Sequence, residues 1–61
     1  MAYELEVITE TITPATFTLP GTWDNEGEAR LVAQNIGLRG VWNGNVFYHA
    51  FNILSVEVIE V

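Results

Sequence analysis

The residues able to do acid–base, nucleophilic or metal chemistry are few. His49 is the only histidine, Ser55 the only serine, and there is no cysteine. Eight carboxylates complete the set: Glu4, Glu6, Glu10, Asp24, Glu26, Glu28, Glu57 and Glu60. A nucleophile needs a base within hydrogen-bond reach and a third group to orient that base. Ser55 lies in an alternating strand-like segment with no glycine-rich elbow around it, so it does not fit the role. His49 as a general base needs a partner carboxylate or nucleophile. It sits in "VWNGNVFYHAF", where its neighbours are mostly apolar, and the plainer reading is a structural histidine at the rim of a core. The lack of cysteine removes disulfides and Cys-based zinc sites. No phosphate loop, dinucleotide fingerprint, zinc spacing or lipidation motif is present. The expectation is a protein that is not an enzyme and takes no metal or cofactor.

The carboxylates carry a different possibility. Glu4, Glu6 and Glu10 share one segment, and Glu57 and Glu60 share another. If the two segments are neighbours with matching faces, the acids cluster. A glycosidase-like acid pair or a divalent-cation site then becomes conceivable, but there is no calcium-loop spacing and too little chain to wall off a cleft. The plain alternative is a solvated acidic face. The sharper one is a protein-binding face, with Ile8 and Ile12 as apolar anchors among carboxylates that occupy arginine and lysine positions otherwise holding phosphates.

Charge points the same way. Two arginines, Arg30 and Arg39, and no lysine leave a formal net charge of −6. Nucleic-acid binding draws most of its affinity from basic side chains at phosphates, so direct DNA or RNA binding is not expected. An anionic membrane is disfavoured on the same ground. A larger protein with a basic surface is the expected partner. No apolar run approaches a bilayer span, and "MAYELEVITE" lacks the basic start and apolar block of a signal peptide. A cytoplasmic location is expected, in the host's cytoplasm if a virus encodes the chain. The scale, acidity and lack of catalytic groups suit a small accessory or inhibitor protein of the kind phages and mobile elements encode. The alternatives are a structural homo-oligomer, such as a virion or scaffold component, and an oligomer that sequesters a small ligand in a pocket made between protomers from Trp23, Arg39, Tyr48 and His49.

The elements that must position these residues can be read from periodicity. A chain of 61 residues is one domain, 1–61, with a thin core, and oligomerisation is its available staple. Tyr3 to Ile12 alternates, with Tyr3, Leu5, Val7 and Thr9 on one side and Glu4, Glu6, Ile8, Glu10 and Ile12 on the other. Pro14 ends this strand or marks an edge. "ATFTLPG" reads as a short second strand with Ala15, Phe17 and Leu19 on one side, and Pro20-Gly21 turns the chain. "DNEGEARLVAQNIG" reads as a helix. Asn25 with Glu28 has capping-box spacing, with Asp24 as the alternative cap; Ala29, Val32, Ala33 and Ile36 form one stripe, and Gly37 sits where a helix stop is wanted. Leu38, just beyond, could fold back on Ala33. A strand through "EARLVAQ" is the competing reading and would make an all-β, SH3-like barrel.

Asn43-Gly44 is a strong hairpin signal. As a two-residue loop it pairs Trp42 with Asn45, Val41 with Val46, Gly40 with Phe47, Arg39 with Tyr48 and Leu38 with His49. Leu38, Trp42, Phe47, His49 and Phe51 then form the core face under the helix. Arg39 and Tyr48 meet on the other face, close enough for a cation–π contact. "NILSVEVIEV" is a last strand with Leu54, Val56 and Val58 in phase, open to pairing with another chain if it lies at an edge. The expected fold is α+β: an antiparallel sheet of four to five strands with one helix packed on one face, in the order β-β-α-β-β-β. The partner-binding candidates are Glu4, Glu6, Ile8, Glu10, Trp23, Arg39, Tyr48, His49 and Glu57.

Overall fold

The computed structural model describes residues 1–10 and 16–61. Its elements are β1 (Tyr3–Thr9), β2 (Thr16–Thr18), α1 (Glu26–Arg39), β3 (Val41–Asn43), β4 (Val46–Tyr48), a 3₁₀ turn (Ala50–Asn52) and β5 (Ile53–Glu60). The fold is α+β in the expected order, and residues 28–34 are helical, which removes the barrel alternative. The expectations for Ile12, Pro14 and Ala15 lie outside the described residues. Among the described residues the strands divide into two antiparallel sheets: β2-β1-β5, and the hairpin β3-β4.

β1 forms the centre of the larger sheet because its alternation gives it one mostly apolar face. Leu5 and Val7 are fully buried there, and Thr9 nearly so. Leu5, Ala29 and Ile36 make the heart of the core, with Tyr3, Leu19, Trp23, Val32, Ala33, Val41, Ile53, Val56 and Val58 packed round it. The helix stripe therefore covers the β1–β5 face rather than the hairpin. Trp23 exchanges backbone hydrogen bonds with Tyr3 at 2.8 and 2.9 Å and packs half-buried against the core, fixing the chain just before α1. Asn25 caps the helix, its side-chain oxygen accepting from the Glu28 amide at 3.2 Å.

Three local expectations are corrected. The helix does not stop at Gly37; it runs to Arg39 and ends on Gly40, at φ 90° and ψ 178°, whose amide donates to the Ile36 carbonyl. That backbone region is open essentially to glycine alone. A side chain at Gly40 would also strike the Tyr48 carbonyl and the Phe47 ring, so the stop is set by a close approach that local sequence does not display. Leu38 does not fold back: it stays in the helix and is 73% exposed.

The second correction is the hairpin turn. Val41 pairs with Tyr48, Trp42 with Phe47 and Asn43 with Val46, so the loop is Gly44-Asn45. Gly44 has φ 62° and no described non-glycine residue has a positive φ, the pattern of a type II′ turn rather than I′. Arg39 is thereby removed from the hairpin, and the expected Arg39–Tyr48 pairing does not form.

The third lies in β5. Ile8 pairs with Ser55 but Thr9 pairs with Ile53, leaving Leu54 as the extra residue of a bulge. The bulge shifts the phase. Ile53, Val56 and Val58 face the core, and Leu54, expected among them, is 63% exposed.

Candidate interaction surfaces

Two open surfaces and one sheet edge collect the residues of interest. The first is the outer face of the three-stranded sheet. Antiparallel pairing puts directly opposite residues on one face, with Cβ atoms about 5 Å apart. Glu6 lies opposite Glu57 on one side and Thr18 on the other; Ile8 lies between Ser55 and Thr16; Glu4 faces Ile59. The clustering condition is thus met for Glu4, Glu6, Ile8 and Glu57. Glu10 lies past the end of β1, its amide donating to the Asn52 carbonyl at 2.7 Å. Glu60 pairs with Tyr3 and so belongs to the opposite, helix-bearing face. Like charges directly opposite one another are destabilising, which the sheet tolerates because this face is open to solvent. Among the described residues no group of three or more His, Cys, Asp or Glu could hold a metal ion.

The second surface is the outer face of the hairpin, and it reverses the expected assignment. Val41 and Tyr48 face inward; Tyr48 is only 6% exposed, with its ring 5.0 Å from Phe17. The face expected to form the core looks outward instead. Trp42 is 64% and Phe51 79% exposed. Trp42 and Phe47 rings meet at 5.2 Å, Phe47 and His49 at 5.1 Å edge to face, and His49 stacks on Phe51 at 5.3 Å. Four rings make one continuous strip, in which His49 is one of the aromatic plates. The reversal has a plain cause. Both hairpin faces are apolar, so composition does not choose between them; the Phe17 ring contacts Tyr48, and its strand β2 packs that face inward.

Known family models, curated proteins and solved structures give no match to this chain.

The remaining candidates disperse. Arg39 stands at the C-terminal end of α1, where a cation suits the helix dipole, and makes no ion pair among the described residues. Arg30 pairs with Glu26 at 2.6 Å along the exposed helix face. Tyr48 and His49 point to opposite sides of the hairpin, so Trp23, Arg39, Tyr48 and His49 do not line a common pocket within one copy. Trp42 and Phe51, expected in the core, are surface residues, while Phe47 is half-buried against Gly40. One signal was available: "NGN" contains Gly44-Asn45 as well as Asn43-Gly44, and Gly-Asn is itself a hairpin dipeptide. No helix among the described residues is long and apolar enough to cross a membrane.

Proposed function

We propose that this protein is a small acidic interaction module that binds a basic segment of a larger protein. The observation that carries the reading is the outward strip Trp42–Phe47–His49–Phe51. A thin domain that leaves Trp42, His49 and Phe51 exposed beside a half-buried Phe47 carries a ready-made set of binding anchors, because contiguous exposed apolar patches mark interaction sites and tryptophan dominates interface energetics. Aromatic faces attract guanidinium and ammonium groups, and a net charge of −6 draws a basic partner towards the whole molecule. Single-stranded nucleic acid would also stack on such a strip, but its phosphates oppose that charge. The acidic sheet face supports the finer form of the reading, in which the module inhibits a nucleic-acid-binding protein by occupying its basic groove.

The test is affinity capture from host lysate with the wild type and Trp42→Ala/Phe51→Ala, at low and raised salt. The expected result is a basic partner whose retention falls at least tenfold in the double variant and weakens with salt. Unchanged capture by the variant, or partners that are acidic and salt-insensitive, would overturn the reading.

A further inference from the structure

We infer that the free edge of β5 pairs antiparallel with β5 of a second copy, about Val58, joining two three-stranded sheets into one. This goes beyond the proposed partner binding and uses a different surface. β5 is an outer strand of the β2-β1-β5 sheet, and no described strand runs along its other side.

The phase of its backbone follows from the bonds already made. Tyr3 exchanges hydrogen bonds with Trp23, and the Leu5 carbonyl accepts from the Leu19 amide, so these β1 residues turn their backbone groups away from β5. The Val61 amide donates to the Ala2 carbonyl across the β1–β5 side. By antiparallel alternation, Glu4–Ile59 and Glu6–Glu57 are then the hydrogen-bonded pairs. Val56, Val58 and Glu60 therefore direct their amides and carbonyls to the open side.

The register follows from charge and from the bulge. Pairing about Glu57 would set that carboxylate against its own copy, with Glu6 of each chain in the same row. Pairing about Val56 would run Val58 into the Leu54 bulge. Of these three centres, Val58 alone avoids both. Val58 meets Val58, Val56 meets the second copy's Glu60 in both directions, and each such pair exchanges two backbone bonds. On the outer face Glu57 meets the second copy's Ile59.

A groove of about 490 Å³ runs beside this edge, lined by Arg30, Ala33 and Gln34 of α1 and by Val56 to Ile59 of β5. It receives the helix-side groups of the incoming strand, Val58 and Glu60, with Arg30, already paired with Glu26, at its rim. A domain of 61 residues also gains the staple that its small core lacks.

Because the chain has no cysteine, the register can be read by crosslinking. Glu57 and the second copy's Ile59 form a non-hydrogen-bonded pair with Cα atoms about 4.5 Å apart, within disulfide range. Glu57→Cys/Ile59→Cys should oxidise to a covalent dimer, whereas neither single variant should. A dimer from either single variant alone, or none from the double variant, overturns the register. The unmodified chain gives a second readout. On concentration, hydrogen exchange at the Val56, Val58 and Glu60 amides should slow at least tenfold, with Glu57 and Ile59 unchanged. Exchange independent of concentration, together with a strict monomer by sedimentation at millimolar protein, overturns the pairing itself. Two acidic copies repel, so the dimer should tighten several-fold as salt rises from about 0.02 to 0.3 M, opposite to the salt effect on a basic partner. Loss of dimer with retained capture, or the reverse, thereby separates the two proposals.

Discussion

Two glycines three positions apart, Gly37 and Gly40, show how differently one residue type can act. Gly37 lies inside α1, and a Cβ added there meets nothing within 4 Å. It contributes only unfolded-state entropy and a poor helix propensity. Gly37→Ala should therefore stabilise the fold by about 0.5–1 kcal/mol. Gly40 lies at φ 90° with the Phe47 ring carbon 2.7 Å from where a Cβ would stand. Gly40→Ala combines backbone strain with overlap against the β4 backbone and should cost more than about 2 kcal/mol. Thermal melts check both. In a domain this small each kcal/mol moves Tm by about 4–8 °C, so the two variants should shift in opposite directions. Local sequence favoured Gly37 as the stop because it follows the apolar stripe. What decides for Gly40 is a contact with a hairpin that lies later in the chain.

At the scale of elements, the sequence disclosed whatever a single strand or helix determines by itself. The Tyr3–Thr9 alternation, the Asn25 cap and the Ala29–Ile36 stripe depend on local spacing, and all are found. The phase of β5 depends on its neighbour, and so does the buried face of the hairpin. One bulge residue, Leu54, turns an unbroken alternation into a broken one, and no local propensity marks where the extra residue sits. Mutation reads this directly. Ile53→Ala should destabilise the protein by about 1–3 kcal/mol, because it empties a site against the core. Leu54→Ala should stay within about 0.5 kcal/mol. Denaturant midpoints at constant m-value distinguish this from the unbroken alternation, which gives the opposite order. The candidate site was legible to the same extent. The acidic face followed from the β1 alternation once β5 proved to be its neighbour, whereas the aromatic strip became visible only with the hairpin register known.

For the molecule as a whole, the question is whether its acidity is for contact or only for solubility. Glu6 and Glu57 sit directly opposite on an uncovered face, within a chain of net charge −6. Solubility does not require two carboxylates to be opposed, because the same charge spread apart costs less. Glu57→Lys replaces the like pair with an opposite one and leaves the inner face of β5 untouched. It should raise stability by a few tenths of a kcal/mol, a modest amount because the pair is exposed. If the acidic face contributes to the partner contact, the same variant should lose binding at least tenfold while its Tm rises. Because the same substitution also lowers the net charge that draws a basic partner, Glu28→Lys on the exposed helix start is the control. A contact face loses more binding in Glu57→Lys than in Glu28→Lys, whereas a merely solvating face loses the same in both. Titration of the captured partner against wild type, Glu57→Lys and Glu28→Lys, alongside a melt of each, decides the matter. Unchanged affinity in the more stable variant would leave the aromatic strip alone as the contact and reduce the acids to a solubilising shell.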